Sequence, residues 1–329
     1  MSWRLKACPE DFVVDEIPLF DPSGEGGHTY VHVEKRLRTT EQVARWLARS
    51  ANVPPRDVGY AGRKDRVAVT RQWFSVPDLA PDVALSLADE GVTVLAAVPH
   101  AHKLRTGALR GNRFSIRVTE VSPESCENAA ARLEQLVARG MPNRFGTQRF
   151  GQDGDNAERA RALLEPGARI RDRRQARFLI SALQAHVFNE VLRQRTVDTL
   201  LAGDVAVVCA SGGLFVVREL DVDQPRADAF EISPTGPIFG TRVTEPEAEA
   251  AELEARVFAE CGVPEPGALR PPRGIRLRGT RRPLRIRPED ASCESAGEGT
   301  LALDFTLPAG SYATVLVEEL LGSPAAPGG

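Results

Sequence analysis

Apolar and polar residues alternate with a period of two in several stretches, and each predicts a strand. Phe12 to Val14 opens the first, and His28 to Val33 sets Tyr30 and His32 against Val31 and Val33. Val67 to Val76, Val92 to Val98 and Phe114 to Thr119 follow, the last turning Phe114, Ile116 and Val118 to one side. The turn from Pro22 to Gly27 between the first two predicts a β-hairpin. A period near 3.6 marks the helices. Thr39 with Gln42 forms a capping box ahead of Val43, Trp46, Leu47 and Ala51, with Trp46 expected in the core. Ser122-Pro123-Glu124 starts a helix toward Arg139 with Ala130, Leu133 and Val137 inward. Further helices begin near Asn156 and near Arg174, the latter carrying Phe178, Leu179, Leu183, Phe188 and Leu192. Strands and helices in this order predict an α+β fold on a mainly antiparallel sheet.

Between about 169 and 283 the periodicity breaks into short, Pro- and Gly-punctuated pieces, with SGGLFVV and SPTGPIFG reading as short strands and turns. The stretch Gly322 to Gly329 is small residues and proline, expected to be disordered.

Composition narrows the class. The chain has 329 residues, 42% hydrophobic and 26% charged, with a net charge of -3. That is an ordinary globular protein of a size for two domains. No apolar run reaches membrane-spanning length and MSWRLKACPEDF holds no signal-peptide core, so a cytoplasmic location without membrane contact is expected. The five cysteines are scattered, which argues against a disulfide framework or a zinc site. His28 and His32 share one strand face without further ligands, so no metal is expected. The pair Asp153 and Asp155 lacks the rest of a calcium loop and reads as a helix cap.

Basic charge is uneven. Arg270 to Arg287 holds eight arginines and no acid. Pro and Gly exclude a helix there, leaving an arginine-rich segment that follows a phosphate backbone or a solvated edge strand. Of 42 basic residues only Lys6, Lys35, Lys64 and Lys103 are lysines. A lysine kept in so arginine-rich a chain points to a place where a compact cation is needed.

The densest chemistry lies in GYAGRKDRVAVTRQWFSV, Gly59 to Val76. A glycine turn leads into the strand, which places Asp65 on a loop at the sheet's lip. Lys64 and Arg66 on either side favour the ionised carboxylate. The alternative is an Asp-Arg pair that only holds a surface turn.

This run resembles the signature of the TruD family of tRNA pseudouridine synthases. So do KACPEDFVVDE from Lys6, HKLRTGALRGNRF from His102, MPNRFGTQRFG from Met141 and LPAGSYATVLVEEL from Leu307, in the family's order. The resemblance implies a pseudouridine synthase core over 1–168, an inserted domain over 169–283 and completion of the core over 284–321. It implies conversion of uridine to pseudouridine at the thirteenth nucleotide of tRNA, by a protein with no cofactor and expected to be monomeric. Asp65 would be the catalytic carboxylate, as nucleophile or base, and Lys6 its companion charge. Phe12, Asn143 and Tyr312 carry over as substrate contacts, and Phe145 is placed to stack on the base. Tyr312 stands where the family often has phenylalanine, and Arg144 where an aromatic residue is more usual. Arg105, Arg110 and Arg149, with Asn112 and Gln148, are expected to hold RNA or brace the motifs. The rival expectation is an RNA-binding protein without turnover, carried by the 270–287 arginines. A glycoside hydrolase would need a second carboxylate flanking the bond, which no motif supplies.

Overall fold

A computed structural model describes residues 3–151, 155–165, 172–264, 269 and 274–323. Among these the chain runs through β1 (Arg4–Leu5), β2 (Phe12–Pro18), β3 (His28–Arg36), α1 (Thr40–Ser50), β4 (Gly59–Tyr60), β5 (Val69–Pro77), α2 (Pro81–Ser86), β6 (Ala88–Asp89), β7 (Val92–His100), β8 (Leu109–Thr119) and α3 (Pro123–Arg139). It continues through β9 (Met141–Pro142), α4 (Asn156–Leu164), α5 (Arg173–Arg193), β10 (Val205–Val208), β11 (Leu214–Val216), α6 (Leu220–Asp228), β12 (Ile232–Ile238), α7 (Ala248–Glu260), β13 (Thr280–Pro283) and β14 (Arg285–Ile286). It closes with β15 (Glu289–Ser295), β16 (Leu301–Pro308) and α8 (Ala313–Leu321). Two compact units result. The first comprises 1–137, 288–313 and 317–329, the second 138–287 with 314–316.

The first unit is built on a sheet in the order β15-β16-β8-β2-β5-β3-β7-β6, with β1 on β8 and β4 on β5. All pairings are antiparallel except β2 with β5, where Val13 pairs with Val69 and Asp15 with Arg71. Alternation puts Phe12, Val14 and Glu16 of β2 and Ala68, Thr70, Gln72, Phe74 and Val76 of the β5 run inward. Against part of that face lies α1, whose Val43, Ala44, Leu47 and Ala48 share a core with Val31, Val33, Phe74 and Val76. The capping box forms as expected: the Thr39 side chain accepts from Gln42 N–H, and Gln42 reaches back to the Thr39 N–H.

The expected hairpin does not form. β5 lies between β2 and β3, because alternation fixes which face a strand buries and leaves its neighbour open. The nine residues from Leu19 to Gly27 are long enough to step over one strand, about 10 Å. They are pinned across the sheet by Gly24 N–H to the Pro99 carbonyl and by Ser23 N–H to His100 Nδ1. Smaller differences have local causes. α3 buries Ser125, Ala129 and Leu133 at four-residue spacing, which leaves Ala130 exposed. Trp46 is only half-buried. Gly322, expected in a disordered tail, accepts a hydrogen bond from Trp3 Nε1 at 2.9 Å; residues 324–329 lie outside the described residues. Asp155 precedes α4 without capping it and sits 3.6 Å from Arg159, and Asp153 lies outside the described residues.

The second unit holds an antiparallel sheet in the order β11-β10-β12-β13, a short β14-β9 pair and a helical core around α5. Here the arginine-rich stretch departs from both readings made of it. Arg270 and Arg273 lie outside the described residues, and Arg276 and Arg278 are exposed. Arg281 and Arg285 are buried. Arg281 grips both Glu254 oxygens and donates to the Thr235 hydroxyl and carbonyl. Arg285 donates to the carbonyls of Arg139 and Ala227 with its guanidinium 4.1 Å from the Phe230 ring. A guanidinium carries five donors, so it satisfies several carbonyls at once inside a fold.

Burial raises the Glu254 pKa, and Arg281 opposes that shift. Replacing one partner therefore strands the other in the interior. Arg281→Ala should destabilise the second unit by about 3–5 kcal/mol. The double replacement Arg281→Met with Glu254→Leu should recover most of the loss, as read from urea unfolding curves.

Candidate active site

The loop between β4 and β5 carries Asp65, and its backbone is fastened from beneath by buried groups. Lys35 is 1% exposed and its ammonium donates to the Asp65 carbonyl at 2.7 Å. Thr40, the first residue of α1, accepts from Lys64 N–H at 2.9 Å and donates to the Gln72 side-chain oxygen, also at 2.9 Å. Gln72 in turn donates to the Gly62 carbonyl at 3.0 Å. The side chain of Lys64 turns inward to Glu16, 2.5 Å away, with both groups buried. A Cβ on Gly62 would come within 3.2 Å of the Lys64 ammonium, so glycine leaves the space this ion pair fills.

The charges flanking Asp65 in the chain are therefore not its partners. Lys64 is spent on Glu16, and Arg66 reaches the Leu37 carbonyl at 3.4 Å. Lys6 is the partner, its ammonium 2.5 Å from Asp65 Oδ2. Lys6 takes a left-handed backbone conformation, with φ of 59°. A non-glycine residue holds this only when the surroundings fix it. Its ammonium also lies 4.1 Å from the centre of the Phe12 ring, which packs edge-on against Phe114. The Asp65 side chain remains 44% exposed against 18% for Lys6. One carboxylate oxygen is thus tied to a cation, and Oδ1 has no hydrogen-bond partner among the described residues.

The expected residues fall into two groups. Lys6, Phe12 and Asp65 come together in the first unit, where Tyr312 stands half-buried at the start of α8. The chain's two ends are neighbours in this sheet, since β2 and β16 both flank β8 and Phe12 and Leu303 both pair with Ile116. Arg105 and Arg110 are exposed in the same unit. Asn143, Phe145 and Arg149 lie in the second. Asn143 is buried, and its carboxamide was expected to be offered to a uracil edge. Here it donates to the Pro283 carbonyl at 2.9 Å and accepts from Arg282. Phe145 has its N–H and carbonyl held by the Asn189 side chain at 2.8 and 3.0 Å. Its ring packs edge-on to Phe188, with the Arg282 guanidinium 4.3 Å over it. Phe145, Arg149, Arg282, Ser181 and Gln184 line an open cleft of about 320 Å³.

Sequence reasoning missed Lys35, Glu16, Thr40, Gln72 and Arg282. Signals existed for some of them. Lys35 is the one lysine outside the motifs, and Gln72 is polar at an inward position of an alternating strand.

Burial lowers the Lys35 pKa from 10.5 to about 8, with Lys64 adding to the effect and Asp65 and Glu41 opposing it. Above pH 8 the folded chain has released this proton while the unfolded chain still holds it. Stability should therefore rise between about pH 8 and 10.5, by up to about 1.4 kcal/mol per unit. Lys35→Met should remove that rise, visible as the difference between wild-type and variant denaturation midpoints across this window.

Comparison with known proteins bears on the same motifs. A family model described as tRNA pseudouridine synthase D (TruD) matches residues 1–165 and 160–320. The tRNA pseudouridine synthase D of Anaeromyxobacter sp. (strain Fw109-5) is 46% identical over 327 residues, covering 96% of this chain and 92% of the relative. That of Geobacter sulfurreducens is 38% identical over 387 aligned positions, covering 97% and 94%. A crystal structure from Methanosarcina mazei, assigned to the same description, superposes with a TM-score of 0.72 at 21% identity over 98% of this chain and 94% of that one, which shows a shared fold.

Proposed function

The chain belongs to the tRNA pseudouridine synthase D family, and on that premise we propose how it isomerises uridine in tRNA to pseudouridine. The reaction breaks the bond from N1 to the ribose C1′, turns the uracil and joins C5 to C1′. C5 loses its proton and N1 gains one, and nothing is oxidised or reduced. The balance asks for no cofactor. It asks for a carboxylate at the sugar, a surface that holds the detached base, and a uridine drawn out of its stack.

Asp65 supplies the carboxylate. With Oδ2 tied to Lys6, the exposed Oδ1 is the oxygen that meets the ribose, either attacking C1′ or taking a sugar proton. The observation that carries this reading is the 2.5 Å Lys6–Asp65 pair on a loop fastened by Lys35, Thr40 and Gln72. A carboxylate that is both exposed and held by its backbone is prearranged for chemistry. Phe12 and Tyr312 in the first unit, and Asn143 and Phe145 in the second, are assigned as substrate contacts. Arg105, Arg110 and Arg149 are assigned to RNA. The target is the thirteenth nucleotide, the inserted domain is 169–283, and the protein acts in the cytoplasm as a monomer. No helix among the described residues is long and apolar enough to cross a membrane. RNA binding without turnover draws less support from the arginine-rich stretch, since Arg281 and Arg285 there are structural.

Asp65→Asn keeps the shape of the side chain and removes its charge. It should lower pseudouridine formation in a tRNA transcript by about 10³-fold or more while tRNA affinity stays within a few fold. Turnover close to wild type would overturn the assignment.

A further inference from the structure

The first half of α5 breaks two local rules on one surface. Arg174, Arg177, Phe178 and Ser181 recur at the three- and four-residue spacing that places side chains on one helix face. Phe178 is 48% exposed, although it is one of the apolar residues of the helix. Arg174 and Arg177 are exposed too, and neither guanidinium has an ion-pair partner among the described residues. The nearest acid in sequence, Asp172, accepts from the backbone N–H groups of Arg174 and Gln175. Cations at the start of a helix work against its dipole, and a large ring in water works against burial. Neither choice serves stability, and such conflicts gather where a surface has a task.

The strip leads somewhere. Ser181 and Gln184, the next positions along α5, line the cleft that also holds Phe145, Arg149 and Arg282. From Phe178 to Ser181 is about one turn of helix. Arginine, an exposed phenylalanine and then a cleft walled by another phenylalanine and three arginines form the alternation of charge and ring suited to single-stranded nucleic acid. An apolar protein surface would leave the Arg174 and Arg177 guanidiniums without a counter-charge, whereas a phosphate backbone complements them.

We propose that the outer face of α5 is an RNA-binding strip, where Arg174 and Arg177 hold phosphates and Phe178 stacks on a base of a single-stranded segment of the tRNA leading to the cleft. The proposal rests on tRNA being the substrate and adds the path its strand takes over the second unit.

The test is tRNA affinity measured over a range of NaCl concentrations, with turnover followed separately. Arg174→Gln with Arg177→Gln should weaken affinity about tenfold and lower the slope of log affinity against log salt by about two. Phe178→Ala should weaken affinity about tenfold, and Phe178→Trp should restore it. In each weakened variant KM rises while kcat stays within about twofold. Unchanged affinity and slope in variants that keep the wild-type melting profile would overturn the strip. So would a change in sedimentation of the free protein with tRNA binding intact, which would assign the face to a second copy. The two readings fail separately. A wild-type protein that forms no pseudouridine, beside variants that lose tRNA affinity, refutes the reaction and keeps the strip. Full turnover with variants that bind normally does the reverse.

Discussion

Everything at the candidate active site depends on buried ammonium groups beneath an exposed loop. A carboxylate that must meet a nucleoside cannot itself be buried, so it cannot be held by packing. The fold holds its backbone instead. Lys35 reaches up from β3 to the Asp65 carbonyl, Thr40 and Gln72 fix the residues before it, and the buried Lys64–Glu16 pair closes the loop from behind. Burying a lysine is unfavourable, as the lowered Lys35 pKa records. What the fold gains is a loop whose backbone at Asp65 is fixed independently of the contact its side chain makes with Lys6. The scarcity of lysine in this chain fits that use, because each of these sites needs one cation at the end of a slim stem rather than a planar fork.

Arginine does the opposite work. Arg281, Arg282 and Arg285 each gather several acceptors, among them Glu254, Thr235, the Asn143 side chain and the carbonyls of Arg139 and Ala227. They tie segments far apart in the chain into the second unit. Arg282 contacts both the Asn143 carboxamide and the Phe145 ring, alongside the Pro283 carbonyl, Asn189 and Phe188.

The elements were largely legible. Strands β2, β3, β5, β7 and β8, the capping box of α1 and the starts of α3, α4 and α5 follow from periodicity and capping chemistry, which are local. What failed was non-local. Alternation on β2 and β3 told which residues point inward but not that β5 would come between them. The charges beside Asp65 in the chain are its neighbours by number only; its partner Lys6, which follows β1, was named from the family's motifs and not from spacing. The arginine cluster misled because composition does not reveal whether a guanidinium faces water or a ring of carbonyls. Phe178, an apolar residue on α5, stands exposed, which periodicity alone did not reveal.

The placement of β8 between β2 and β16 bears on how the protein is made. Phe114 pairs with Phe305, so one side of a central strand stays open throughout synthesis until residues 289–308 have left the ribosome. Until then the nascent first unit presents a row of unpaired backbone N–H and C=O groups along β8, a template for pairing with other chains.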